Sequence, residues 1–256
     1  DFPIDHEQIV AGVYQGGSLS MEWAELAWIL AVQADGNVDA YGNVKFEFSK
    51  KRKIDRLTKI LNDLGAFYTG YPYRESYIFY VSRKCNEELM RLTSDLLGRE
   101  KVLGSWVLSL DRPSMDIFVD EIFNWDGSHH TKDQVASAVK QNMDLAQAVF
   151  VLSGLRAKMG RMDAWREGWK DRYYVSICPK RRIDFVRTDH IEKKTVGWDG
   201  HVYCVTVPSG WIVVRRNGIV AVTGNSKRRE PDYKRILGPL YRHPLRSIFT
   251  VPPGHV

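Results

Sequence analysis

Two apolar runs of helical length, each closing on Asp-Gly, constrain this chain more than any other feature. They are MEWAELAWILAVQADG, ending at Asp35-Gly36, and SMDIFVDEIFNWDG, ending at Asp126-Gly127, with the two aspartates 91 residues apart. A helix that is apolar on most sides cannot face water and must be covered. In the first run Ala24, Ala27, Ala31 and Ala34 offer a small-residue face that another helix can approach closely. The elements after each run repeat as well. After the first come the hairpin-like NVDAYGNVKFEFS, an amphipathic helix (Ile54, Leu57, Ile60, Leu61, Leu64) stopped by Gly65, strands over 66–71 and 76–82, and a helix over 86–97. After the second come SHH and QVASAVK as a hairpin, a helix over 143–153 stopped by Gly154, and strands over 154–160 and 172–177. The helix-stopping glycine falls 29 residues after the first Asp-Gly and 27 after the second. Such a repeat is one supersecondary unit doubled, and each half needs the other to bury its apolar helix. Before the first run, residues 1–20 read as a connector, with Ser20 as the helix N-cap and Glu22 in the first turn.

Two helices meeting along a small-residue face bring Asp35 and Asp126 together at their C-terminal tips. Paired carboxylates repel each other and invite a divalent cation, and an all-oxygen set selects Mg²⁺. Metal held there can activate water and stabilise the leaving oxygen of a phosphodiester. The motifs ILAVQADG and FVDEIFNWDG resemble the paired motifs of the LAGLIDADG homing endonucleases, over residues 21–186, with repeats at about 21–100 and 114–186. The resemblance implies an α+β fold, an αββαββ unit in pseudo-two-fold duplicate that forms a saddle on double-stranded DNA. It also implies a monomer that makes Mg²⁺-dependent double-strand cuts at a long site, with Asp35 and Asp126 as catalytic residues and metal ligands. Lys84 and Lys180 stand where the family often places a lysine late in each repeat. DNA contacts fall to Lys45, Lys50, Lys51, Arg52, Lys53, Lys132, Lys140, Arg181 and Arg182. Leu30 and Glu121 stand where the family usually has a small glycine, which implies a looser or shifted helix crossing and leaves retained cleavage open. The same scaffold also serves non-catalytic DNA-binding and RNA-maturase-like modules. His129-His130 read as surface hairpin residues or as ligands beside Asp126, and Trp125 as core.

The stretch from Gly200 to Ser226 reads as strands over 202–207, 211–215 and 219–223, with a turn at Asn217-Gly218 and an end at Gly224-Asn225-Ser226. An Asn amide can attack its own carbonyl, close a succinimide and cut the following peptide bond, while a Ser hydroxyl can take over an acyl group. VYCVTVPSG…VVRRNGIVAVTGN-S resembles the C-terminal end of an intein. That resemblance implies that 187–225 supplies the all-β strands of an incomplete HINT splicing domain. Asn225 would be its last residue, Ser226 the first of the host, and the missing N-terminal intein half its partner. Cys204 stands where the family usually has Asp, Gly224 where it has His, and Trp211 where a further His is usual. Cys204 with Thr223 resembles the class 3 inteins, in which the internal Cys attacks the upstream junction. An ordinary intein, with Cys204 assisting Asn225, is the alternative. Residues 226–256, with LRSIF…PPG, resemble the segment just before the first catalytic-aspartate motif of family A DNA polymerases.

Bulk charge adds little. Of the net charge of +6, residues 226–256 carry +5, so any DNA-binding argument for the body rests on clusters. Three widely spaced cysteines, Cys85, Cys178 and Cys204, argue against a disulfide framework and suit a reducing cytosol. No apolar run reaches transmembrane length and no signal peptide opens the chain, so no membrane partner is expected. The missing initiating Met and the abrupt stop at Val256 suggest a fragment.

Overall fold

The two apolar runs form helices that lie side by side and point the same way. The computed structural model describes residues 8–9, 16–98, 100–128, 133–164, 166–178, 182–183 and 211–224. Helices α1 (Trp23–Asp35) and α4 (Arg112–Trp125) pack against each other. Their starts are joined by Ser114, whose hydroxyl accepts from the Met21 N–H at 3.0 Å and donates to the Met21 carbonyl at 3.3 Å. Their ends are joined by a hydrogen bond from the Gln33 amide to Asp126. No residue from Leu26 to Val32 is more than 1% exposed, as an all-round apolar helix requires. Trp28 satisfies its one polar atom by donating Nε1–H to the Thr93 hydroxyl at 2.8 Å.

Each apolar helix leads into its own antiparallel sheet. After β1 (Gln8–Ile9) and α1, the first repeat runs β2 (Asn37–Val38), β3 (Val44–Phe48), α2 (Lys51–Asp63), β4 (Tyr68–Tyr73), β5 (Ser76–Val81) and α3 (Glu87–Leu97). Its sheet has the order β2-β3-β5-β4. The second repeat runs α4, β6 (Gln134–Ser137), α5 (Lys140–Leu152), β7 (Arg156–Met162) and β8 (Arg172–Cys178). There β6 pairs with β8 and β8 with β7, while Gly127 bridges to Val135 where β2 pairs with β3 in the first. The strand order is therefore the same in both halves. One face of each sheet covers the helices: Val44, Phe46 and Phe48 with Phe79 and Val81 in the first, Val135, Val175 and Met159 in the second.

Several boundaries differ from the sequence reading, each for a local reason. Ser20 is not the N-cap of α1, which starts after Glu22. Residues 16–19 pair instead with 109–111 (Gly17 N–H to the Leu110 carbonyl, 2.7 Å), and the Ser20 hydroxyl bonds Asp111. Asp111 in turn caps α4 by accepting from the Ser114 N–H at 2.9 Å, so that helix opens at Arg112, with Pro113 in its first turn, rather than at Ser114. Hydrogen bonds from Ser114, in which the side chain outranks the backbone, hold the Asp111 carboxyl below the usual carboxylate range. Helix α5 starts at Lys140, ahead of the expected 143. Strand β7 is displaced to Arg156–Met162 because Gly154, at φ +85°, closes α5 with the Leu155 N–H bonded back to Phe150.

Glu121, in place of a small residue on α4, is 1% exposed, as is Leu30 on α1. Its carboxylate takes the Trp23 Nε1–H at 2.8 Å and the Arg56 Nε–H at 2.9 Å, with a second Arg56 bond. The buried charge is thereby paired with α2 and with the start of α1.

The described residues fall into two compact units, 10–182 with 215–220, and 1–9 with 183–214 and 221–256. In the second, described residues include β1 and the arms of a hairpin formed by β10 (Trp211–Arg216) and β11 (Ile219–Gly224); β9 (Arg182–Ile183) spans the division between the units. The turn matches expectation, with Asn217 at φ +50° and Gly218 at φ +74°, the mirror-image turn that suits twisted strands. That tip belongs to the larger unit. Ile219 pairs with Lys158, the Met159 N–H donates to the Gly218 carbonyl at 2.9 Å, and the buried Gln147 amide donates to the Ala157 and Gly218 carbonyls at 2.9 and 2.8 Å. A Cβ on Gly218 would lie 2.2 Å from the Met159 oxygen. No helix among the described residues is long and apolar enough to cross a membrane.

Replacing Glu121 with Ala strands Arg56 and the Trp23 indole, and is expected to lower the unfolding free energy by about 3 kcal/mol in urea denaturation. Glu121→Gln, which keeps an acceptor for the indole, should cost less.

Candidate active site

Asp35 is the last residue of α1 and Asp126 the residue that ends α4, so both carboxylates sit where a helix presents its unpaired carbonyls. Helix dipoles disfavour negative charge at that end, and two such ends side by side compound the cost. The glycine after each aspartate is required by space. A Cβ on Gly36 would lie 2.8 Å from the Cα of Val32, and one on Gly127 2.6 Å from that of Phe123, four residues back in each helix. Asp-Gly therefore lets the chain turn against its own helix and enter the sheet.

The two carboxylates differ in surroundings. Asp126 is only half-buried as a whole residue, but protein surrounds its carboxyl closely. Desolvation first, then the Asp35 charge, push its pKa up to about 7, against the pull of Lys53, the Gln33 hydrogen bond and Lys101. Asp35 is ion-paired with Lys53, whose ammonium also lies 5.7 Å from the Phe48 ring centroid and 5.8 Å from that of Trp125. Lys101 donates to the Gly36 carbonyl at the tip of α1.

Asp126, Lys53 and Lys101 border a groove of about 690 Å³ within the larger unit, and Asp35 reaches it through its bond to Lys53. Asp126 and Gln33 line it, with cations from the start of α2 (Lys50, Arg52, Lys53), the inter-repeat segment (Lys101) and the approach to β8 (Lys170, Arg172); Glu100 is the other acid. Arg52 donates to the Asn124 carbonyl at 2.7 Å and so pins the start of α2 against the end of α4.

The fit to a divalent cation follows from the donors. Among the described residues no cluster of three or more His, Cys, Asp or Glu could hold a metal. The pair Asp35 and Asp126 supplies carboxylate oxygens alone. That set suits a hard cation that keeps water and takes substrate oxygens, and does not suit zinc.

Of the expected DNA contacts, Lys50, Arg52 and Lys53 line the groove. Lys45, Lys51 and Lys140 are exposed and ion-paired with Glu47, Asp55 and Asp144. Arg182 lies in β9, while Lys132 and Arg181 lie outside the described residues. Lys84 is exposed in a short 3₁₀ turn, Arg83–Cys85, and is not among the groove residues. Thr223 lies in β11, and Lys180, Cys204, Asn225, Ser226 and the pair His129-His130 lie outside the described residues. Gln33, Lys101, Lys170 and Arg172 are groove residues that the sequence reading does not single out. Two signals point to such positions. Lys53 stands four and seven residues before the buried Leu57 and Ile60, on the inward face of α2. Arg172 opens the alternating row Arg172, Tyr174, Ser176 of β8.

No protein-family model matches the chain. A curated relative, the ribonucleoside-diphosphate reductase subunit beta of Aquifex aeolicus (strain VF5), is 28% identical over 223 residues, 77% of this chain and 30% of the relative. The chain thus spans under a third of the length of the curated relative it matches. Similar solved structures include I-DmoI in complex with DNA and manganese, at 14% identity and TM-score 0.44 over 61% of this chain and 90% of that one. A nicked-DNA complex of an I-DmoI variant gives 13%, 0.45, 61% and 88%. The N-terminal LAGLIDADG domain of DUF199/WhiA gives 13%, 0.41, 61% and 77%. At that depth the likeness carries no function, which must come from the groove.

Because the folded-state pKa of Asp126 is raised to about 7 from 3.8, the native protein holds this proton more tightly than the unfolded chain. The contribution of Asp126 to stability is therefore lost as pH rises from about 4 through 7. Without metal, Asp126→Asn should melt close to wild type at acid pH and above it at alkaline pH. A pH-independent difference in Tm would refute desolvation as the governing cause.

Proposed function

We propose that this chain is the LAGLIDADG-type DNA endonuclease of an intein, joined to the C-terminal strands of the splicing domain. The observation that carries the endonuclease reading is that the tips of the two duplicated helices bring Asp126, with Asp35 beside it on Lys53, to a groove lined by six cations. A divalent cation bound there would activate water and offset charge on the leaving oxygen. The chain's own residues do the remainder. Gln33 orients Asp126. Lys50, Arg52, Lys101, Lys170 and Arg172 hold phosphates across the groove. The outward rows, with Lys45, Thr69 and Tyr80 in the first sheet and Arg172, Tyr174 and Ser176 in the second, face base edges. Mg²⁺ is the cation that suits this donor set.

The splicing reading rests on the strand pattern and on the junction Gly224-Asn225-Ser226. In it the acyl group passes from the Cys204 sulfur to the Ser226 hydroxyl and Asn225 cyclises, once an upstream half completes the domain. The host is a family A DNA polymerase, and the location is the cytoplasm. A segmental match to under a third of a different enzyme subunit agrees with an insert carried by more than one host.

Incubation with Mg²⁺ and a duplex spanning the uninterrupted polymerase junction should give a double-strand cut. Asp35→Asn and Asp126→Asn should each slow it by about 10²-fold or more while binding the duplex as wild type does. Binding without cutting, unchanged in both variants, would assign the chain to a non-catalytic DNA-binding or maturase-like module. With the upstream half attached, Cys204→Ala should abolish the branched intermediate; a branch that persists favours the ordinary intein route.

A further inference from the structure

Lys53 differs from its neighbours in the basic run. Lys51 reaches into solvent beside Asp55, whereas the Lys53 side chain is 12% exposed and is bonded to Asp35. Phe48 and Trp125 stand beside its ammonium and add no competing ligand. Its charge reaches Asp126 as well as Asp35, so one ammonium serves both helix tips. We propose that Lys53 is a tethered counter-ion that holds the cation's place between the two carboxylates in the DNA-free protein and gives it up to a phosphate when duplex enters the groove. This rests on the carboxylate pair being the cation site.

An ammonium bonded to a carboxylate oxygen and a dication bonded to the same oxygen repel strongly at such range. While Lys53 stays on Asp35, the pair presents less negative charge to a cation. Lys53 also lines the groove, so a backbone phosphate gives its ammonium a new acceptor on the same side chain. Lys101 cannot serve in this way, because its partner is the Gly36 carbonyl rather than a carboxylate. Duplex and cation therefore favour each other's binding through Lys53, and such coupling is reciprocal. Lys53 is a positioning residue in this scheme, restraining the site until substrate is present.

Titration of the DNA-free chain with Mn²⁺ in alkaline buffer, followed by calorimetry, tests the idea without any cleavage. Lys53→Met and Lys53→Gln should each bind Mn²⁺ about tenfold more tightly than wild type, and the enhancement by duplex should shrink in both. Lys53→Arg, which keeps the charge, should remain as weak as wild type and guards against a folding defect in the other two. Equal affinity in wild type and both neutral variants would overturn the place-holding role. If neither wild type nor the neutral variants bind Mn²⁺, or if Asp35→Asn binds it as well as wild type, the carboxylate-pair reading itself fails.

Discussion

The parallel packing of α1 on α4 is the contact on which everything else depends. It buries the most apolar segments of the chain, sets the two sheets on either side, and forces two carboxylates to share the same end. Packing of this kind is non-directional in its energy, but the hydrogen bonds at the two ends give it register: Ser114 to Met21 at the start, Gln33 to Asp126 at the finish. The burial that stabilises the fold thus creates an electrostatic conflict at its tip. Lys53, Lys101 and Arg52 answer it from outside the helix pair.

Glu121 shows how tolerant that pairing is. A carboxylate inside a helix interface is costly unless both its oxygens are bonded, and here Trp23 and Arg56 occupy them. The carboxylate is accommodated by recruiting α2, whose Arg56 ties it to the helix pair beside the Arg52 bond and the buried Leu57, Ile60 and Leu61.

Much of the architecture is legible in the sequence because it rests on periodicity. The Asp-Gly endings, the glycine stops and the alternating strands all follow from local backbone rules, and they mark the duplication directly. Tertiary pairing is less legible. The Ser20 hydroxyl bonds Asp111, 91 residues away, and so cannot cap its own helix. Asp35 and Asp126 are legible as a pair because a helix end is a local signal repeated twice. Lys101 is not, since it lies in a connector without periodicity, and a long side chain reaches the site from where the backbone gives no hint. Lys84 looks equivalent to a late-repeat lysine by counting, yet it sits exposed on a turn, because position along the chain does not fix distance from the groove.

The keyed turn at Asn217-Gly218 has a consequence for how the chain can be divided. Its tip is built into the second repeat through Met159 and Gln147, whereas the arms that lead towards Asn225 belong to the other unit. One division between the units therefore runs through the middle of a hairpin. A shortened descendant that lost residues 10–182 would inherit a turn whose Gly218 carbonyl had lost both donors, Met159 and Gln147, and a new partner for that oxygen would have to arise alongside the deletion.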